Sequence, residues 1–308
     1  MIEVQNLSRY YGDFSAISNL SFSIQKNEVI GFLGLNGAGK STVLKILSGL
    51  LEPSEGSITF QGMPFSTTET KLRSKIGFLP EEPPLYKDMT VREFLLYVGE
   101  LRKLPKTEVK ERLEKIIPIC QLEDRVDQLI EELSLGFRKR VGIAQAIIHK
   151  PELVILDEPI SGLDPFQIVE MRSVIRNLSK EATVLLSSHN LTEVAETCDR
   201  LLILHQGKVI AEGSTMELSG QMKSQQQTTI IECELTEEKE AHLQTLFGIN
   251  YNKLTPSNSI DRIEIIHINP TPEVIKKLVE SDISIHSVQQ RKSGLENIFL
   301  SLTQGDNE

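Results

Sequence analysis

Long apolar runs are missing from this chain. No segment approaches the ~20 consecutive apolar residues that a helix needs to cross a bilayer, so none of it is expected to span a membrane. The first residues, M-I-E-V-Q-N-L-S, lack the basic-then-apolar order of a secretory signal. Cysteine is scarce: Cys120, Cys198 and Cys233 are far apart and odd in number. They fit neither a disulfide framework nor metal-ligand spacing, which points to a reducing compartment. A basic surplus is also missing. The net charge is −10, with the acidity spread along the chain and no charged tail. That balance excludes a basic surface for non-specific binding of nucleic acid. A cytosolic protein is expected, with any membrane role reached through a partner.

What is there is ordinary in amount and specific in order. The 308 residues suffice for one large or two medium domains, and a hydrophobic fraction of 39% with 25% charged residues suits a soluble globular chain. The stretch from Glu28 to Leu47, E-V-I-G-F-L-G-L-N-G-A-G-K-S-T-V-L-K-I-L, reads as a short buried strand, a glycine-rich turn and a helix starting near Lys40. Gly34, Gly37 and Gly39 let the backbone wrap an anion so that successive N–H groups point inward. The helix behind them adds the positive end of its dipole. Lys40 can reach the β- and γ-phosphates of a nucleotide, and the Ser41 hydroxyl can ligate Mg²⁺. A plain glycine turn is the competing reading.

Residues 1–27 alternate apolar and polar and form a pair of half-buried antiparallel strands around a break at 11–13. Tyr10 and Tyr11 sit at that break, either packed on the small sheet or with one ring stacked on adenine. After the loop helix come a strand at 57–62 and an apolar strand, K-I-G-F-L-P, running into a proline-rich loop with Pro80, Pro83 and Pro84. Thr90-Val-Arg-Glu93 is a capping box that opens a helix, and a second helix follows from about Thr107. Two or three helices over roughly 90–130 thus interrupt a strand–helix alternation. It resumes with the apolar strands E-L-V-I-L-D-E-P (152–159) and T-V-L-L-S-S-H (183–189), and a hairpin turns at Gln206-Gly207. The first domain is therefore α/β with a parallel core, over 1–219. Residues 220–227 are polar and read as a linker. Beyond them the order βαββαβ, with a final helix at 294–303, suggests a small ferredoxin-like α+β domain over 228–308.

An aspartate at the carboxyl end of a parallel strand lies at the crevice where α/β sheets bind ligands. Asp157 can hold Mg²⁺ there, directly or through water, and Glu158 can activate a water for in-line attack on the γ-phosphate. A solvent-facing acidic strand end is the competing reading. His189 would share that sheet edge and could touch the γ-phosphate; His149, His205, His242, His267 and His286 read as ordinary histidines. In L-S-L-G-F-R-K-R (133–140), Ser134 is a natural helix cap near Gly136, and this helix start also offers N–H groups to an anion.

Together, the loop G-L-N-G-A-G-K-S, L-S-L-G-F, L-V-I-L-D-E-P, S-G-L-D (161–164) and S-S-H resemble, in order, the motifs of the ATP-binding subunits of ABC transporters, over residues 1–215. The resemblance implies a phosphate-loop nucleotide-hydrolase fold, with a RecA-like parallel core, N-terminal antiparallel strands and a helical insert. It implies ATP and Mg²⁺ as cofactors. It assigns Tyr11 to adenine, Gly34, Asn36, Gly37, Ala38, Gly39, Lys40, Ser41 and Thr42 to the phosphates, and Ser41 and Asp157 to Mg²⁺. Glu158 becomes the general base and His189 the γ-phosphate sensor. It implies two cassettes, identical or paralogous, paired head to tail, so that Ser134 and Gly136 of one cover the ATP of the other while Asp164 couples the sites. The permease would be a separate transmembrane chain meeting the helical insert and the Glu81 loop, which places this chain on the inner face of the membrane.

Two features depart from the family. Leu135 and Phe137 break the usual L-S-G-G-Q, and Glu81 stands where glutamine is usual. A carboxylate at 81 could still reach Mg²⁺ or the attacking water, but it adds negative charge near the γ-phosphate. The likeness is greatest to single-cassette exporters of the drug, polysaccharide and gliding-motility type. A soluble factor acting on ribosomes or DNA is disfavoured by the single cassette and acidic charge. A non-hydrolysing nucleotide switch is disfavoured by the Asp157-Glu158 pair.

Overall fold

A computed structural model describes residues 1–65, 70–221, 227–247, 251–256, 261–267 and 271–291. The chain divides into two units, Met1–Ser214 and Thr215–Glu308.

The first unit opens with the antiparallel pair β1 (Ile2–Tyr11) and β2 (Phe14–Ile24), paired from Ile2 opposite Ile24 to Tyr11 opposite Phe14 with shifts of register between Val4 and Tyr10. The apolar run β3 (Val29–Leu33) is buried at every residue and passes through the glycine turn into α1 (Lys40–Leu47). Strands β4 (Glu55–Phe60) and β5 (Met63–Pro64) extend the first sheet in the order β2-β1-β4-β5. A short α2 (Thr70–Arg73) precedes β6 (Ile76–Leu79), and the insert supplies α3 (Val91–Leu101) and α4 (Lys106–Ile119). The capping box is formed: Thr90 Oγ1 accepts the Glu93 N–H at 3.2 Å, and Glu93 Oε2 accepts the Thr90 N–H at 2.9 Å.

There follow α5 (Leu135–Ile147), β7 (Leu153–Leu156), α6 (Pro165–Leu178), β8 (Thr183–Ser188), α7 (Leu191–Thr197) and the hairpin β9 (Arg200–His205)–β10 (Lys208–Gly213). The second sheet runs β10-β9-β3-β8-β7-β6, parallel throughout except for its antiparallel edge, β10. Its central strands are apolar on both faces because helices and the first sheet cover them. Leu185, Leu186 and Ile155 are fully buried, each worth about 1.5–3 kcal/mol relative to exposure. Gly31 lets α7 press onto β3, since a β-carbon there would lie 3.2 Å from Val194 Cβ of the helix and 2.9 Å from Cys198 Sγ just beyond it. Arg112 of α4 is buried and donates to the carbonyls of Ile147 (3.0 Å) and Ile148 (3.3 Å), capping the negative end of α5.

In the second unit, residues 215–221 form a helix, α8 (Thr215–Gln221), with Leu218 buried. The polar composition that suggested an end near 219 and a linker from 220 does not distinguish a helix with one apolar anchor from open chain; residues 222–226 lie outside those described. Next come β11 (Gln227–Glu234), α9 (Glu237–Phe247), β12 (Tyr251–Pro256), β13 (Asp261–His267), α10 (Thr271–Glu280) and β14 (Ser284–Arg291). They form an antiparallel sheet in the order β12-β13-β11-β14. Ile231, Cys233, Ile263 and Ile265 from the strands meet Leu243, Val274 and Leu278 from the helices. The expected helix at 294–303 lies outside the described residues.

Candidate functional site

Strand register delivers the site. Leu33 pairs with Ser188, Leu156 with Leu186, and Leu79 with Leu156. The residues after β3, β6, β7 and β8 therefore leave the sheet at one edge, where parallel sheets bind ligands. A cavity of about 490 Å³ opens there, lined by Asn36 to Thr42, Glu81, Glu158 and His189, with Tyr11 and Phe14 contributed by the first sheet.

The loop owes its path to its glycines. Gly37 and Gly39 have φ of 84° and 102°, and a β-carbon on Gly39 would lie 2.7 Å from the Ala16 carbonyl. A β-carbon on Gly34 would lie 2.6 Å from the Leu204 carbonyl. Gly39 caps α1 without a side-chain acceptor, and no acidic residue occupies the first turn. The free N–H groups and dipole of α1 thus face the cavity unopposed, as an anion site requires. Lys40 is buried; its Nζ donates to the carbonyls of Gly34 (2.7 Å) and Leu35 (3.3 Å) and lies 3.6 Å from Glu158 Oε1. Burial pulls the Lys40 ammonium below its ordinary pKa, while Glu158 and Asp157 act the other way.

The two carboxylates are held differently. Asp157 Oδ1 accepts from Ser187 Oγ at 2.6 Å and Ser41 Oγ at 3.3 Å, which ties β7, β8 and the loop helix together. Glu158 takes a left-handed φ of 47°, and its N–H donates to the same Ser187 Oγ at 2.9 Å. A non-glycine residue there carries strain that its surroundings must offset. The Glu158 carboxylate lies between Lys40 and His189, whose Nδ1 is 3.0 Å from Oε2. From α5, Lys139 Nζ donates to the carbonyls of Glu158 and Ser161, each at 2.7 Å.

Of the residues singled out in the sequence, Tyr11, Asn36, Gly37, Ala38, Gly39, Lys40, Ser41, Thr42, Glu81, Glu158 and His189 line the cavity. Gly34 shapes the loop from beneath, and Asp157 stands behind Ser41. Ser134, Gly136 and Asp164 do not line it. Ser134 Oγ accepts the Phe137 N–H at 3.4 Å, and Asp164 Oδ1 accepts the Gln167 N–H at 2.9 Å, so each caps a helix. Phe137, at the usual glutamine position, is clasped between the guanidinium groups of Arg125 and Arg140, 5.1 and 5.0 Å from its centroid. Arg9 covers the Tyr11 ring at 5.0 Å.

Sequence reasoning missed Phe14, Ala16 and Ser161 in the lining, and the roles of Ser187 and Lys139. For Phe14 a signal exists: it is the residue opposite Tyr11 once the hairpin is paired.

This geometry defines a nucleoside-triphosphate hydrolase with a phosphate loop, a buried aspartate and a second carboxylate poised at the cavity. Comparison with known proteins agrees. Residues 17–161 match the ABC transporter family. The linearmycin resistance ATP-binding protein of Bacillus subtilis is 33% identical over 98% of this chain and 98% of its own length. The bacitracin transport ATP-binding protein of Bacillus licheniformis is 31% identical over 99% of this chain and 98% of its own. Among solved structures, cbiO1 from Clostridium perfringens, described as part of an ABC transporter complex, superposes with a TM-score of 0.67. It is 31% identical, and the match covers 71% of this chain and 90% of that one. The chain belongs to the ATP-binding subunits of ABC transporters: it binds and hydrolyses ATP to energise transport. None of its helices, among the described residues, is long and apolar enough to cross a membrane.

Proposed function

We propose that this chain drives an exporter, by closing head to tail with a second cassette around ATP and reopening after hydrolysis. The single observation that carries the hydrolytic part is the Glu158 carboxylate. It stands 3.6 Å from Lys40 and 3.0 Å from His189, beside the Asp157–Ser41 pair. Such a group can take the proton of an attacking water while its neighbours hold it in place. Tyr11 gives adenine a stacking face, and the α1 N–H groups and Lys40 bind the phosphates, with Lys40 exchanging backbone carbonyls for phosphate oxygens. His189 touches the γ-phosphate and fixes the rotamer of Glu158.

Ser41 Oγ and Asp157 suit Mg²⁺: they are hard oxygen donors 3.3 Å apart. Among the described residues no group of three or more His, Cys, Asp and Glu side chains forms a cage of its own. That suits a cation which takes one or two protein oxygens and completes its shell with phosphate and water. When bound, it neutralises charge on the β- and γ-phosphates. Glu81, also in the cavity, reports nucleotide state to the neighbouring helices.

Ser134 and Gly136 lie outside their own cavity, which supports a composite site: they would cover the ATP of a second copy, with Asp164 coupling the two. The partner is a separate transmembrane permease, which would hold this chain on the inner membrane face. The near full-length match to proteins named for linearmycin resistance and bacitracin transport supports export as the direction. Glu158→Gln tests the cycle. With ATP the variant accumulates as a stable dimer on size-exclusion chromatography and releases almost no phosphate; a monomer with ATP bound refutes it.

A further inference from the structure

Lys139 is a buried cation that the phosphate chemistry does not use. It sits on α5, 4% exposed, and does not line the cavity. Its two donated bonds, both 2.7 Å, end on the carbonyls of Glu158 and Ser161. These bracket one tight turn, in which the Ser161 N–H itself donates to the Glu158 carbonyl at 3.4 Å. The turn starts at the left-handed φ of Glu158, so something must hold it against relaxation. An ammonium group is suited to this, since one cation satisfies two carbonyls and a charged donor makes the stronger bond. Burial pulls the Lys139 pKa down; among the charges that oppose this, Glu81 acts most, ahead of Glu158, Glu193 and Asp157. α5 also packs on the loop that carries Glu81, since a β-carbon on Gly142 would lie 2.5 Å from Leu79 Cδ1 and 2.9 Å from Pro83 Cβ, so the buried cation stands beside the carboxylates of a site that must also admit a polyanion.

We propose that Lys139 is a positioning residue for hydrolysis: it pins the Glu158–Ser161 turn, and thereby the Glu158 carboxylate, and its charge offsets Glu81. The inference rests on Glu158 as the general base. It also ties the base to α5, the helix that Ser134 caps.

The experiment measures phosphate release by the full chain with Mg²⁺ and ATP, for Lys139→Met, Glu81→Gln and the double variant, with melting temperature and ATP affinity read alongside. Lys139→Met should lower kcat about 10- to 100-fold, the cost of a misplaced catalytic group, with KM for ATP changed less than about threefold. The double variant should turn over faster than Lys139→Met alone, because removing Glu81 relieves the uncompensated charge. A packing role alone would lower the melting temperature without this split or this rescue. Wild-type kcat in Lys139→Met, or single effects that simply multiply in the double variant, overturns the proposal. Where Lys139→Met fails to fold, Lys139→Gln, which keeps a donor without the charge, is held to the same outcomes. Glu158→Gln separates the two readings. Turnover that survives in it refutes the base, whereas its loss beside normal turnover in Lys139→Met refutes only the role of Lys139.

Discussion

Ser187→Ala isolates one hydroxyl on which both carboxylates depend. Ser187 is fully buried; its Oγ donates to Asp157 Oδ1 at 2.6 Å and accepts the Glu158 N–H at 2.9 Å. The substitution removes one oxygen and opens no appreciable cavity, so the effect is polar. A hydrogen bond to an ionised carboxylate contributes about 1.5–3 kcal/mol and a neutral one about 0.5–1.5 kcal/mol. The Glu158 N–H also loses its acceptor at a residue that is 7% exposed. The loss should be about 2–4 kcal/mol, since Asp157 keeps the weaker Ser41 contact at 3.3 Å. That is a large share of the ~5–15 kcal/mol that stabilises a typical domain. Urea unfolding followed by circular dichroism reads the shift in midpoint at constant slope. Without its anchor the strained Glu158 turn relaxes, so phosphate release should fall at least about tenfold in protein that is still folded. An unchanged midpoint together with kcat within twofold of wild type would show that the hydroxyl holds nothing, and the account of the two carboxylates would fail.

Three other outcomes are expected. Lys40→Ala removes the ammonium from the loop and should weaken ATP binding by at least about tenfold, the scale of one charge-assisted contact; titration calorimetry showing unchanged affinity refutes the loop assignment. Glu158→Gln should trap the ATP-bound dimer, as described above. His149 is half-buried, and burial, helped by the charge of Arg102, pushes its pKa from 6.5 down to about 4. Its Nε2–H donates to the Ile76 carbonyl at 3.0 Å and its Nδ1 has no partner, so the neutral ring is the one that fits. A histidine depressed in the folded state contributes stability above its unfolded pKa and loses it as pH falls through the folded one. Relative to His149→Gln, wild type should therefore lose about 3 kcal/mol between pH 7 and pH 4. A difference in stability that does not change with pH contradicts that burial argument.

How much of this could be read from residues alone depends on where each partner sits in the chain. Apolar runs at 29–33, 153–156 and 183–188 imply parallel strands, and parallel strands place whatever follows them at one edge. Gly34, Asp157, Glu158 and His189 were legible for that reason. Their types are also informative, because glycine and paired carboxylates after an apolar strand have few other uses. Ser187 and Lys139 were not legible. A serine inside a strand and a lysine on a helix are common, and their roles rest on contacts made thirty and nineteen positions away. Nothing in the sequence marked the left-handed φ of Glu158, since glutamate gives no conformational warning. The same limit applied at 220–221, the last residues of a helix, where polar composition reads as a linker.

These failures share a physical cause that bears on the site. Lys40, Glu158 and His189 line the cavity, and the unread residues hold Glu158 and its neighbour Asp157 in place. Glu158 is the clearest case: backbone strain, the Ser187 acceptor and the Lys139 donor all converge on one residue. Its carboxylate is therefore placed by three elements, β7, β8 and α5, and by the relative position of any two of them. Ser134 caps α5. A shift of α5 when Ser134 meets the nucleotide of a second copy would reach Glu158 through Lys139 without crossing the cavity. Turnover would then depend on pairing even where nucleotide affinity does not, and Lys139→Met should uncouple the two: ATP-driven dimers would still form, but their formation would no longer raise kcat. Dimer formation and phosphate release measured on the same Lys139→Met sample decide it, and a variant that pairs and is still accelerated by pairing rules out this route.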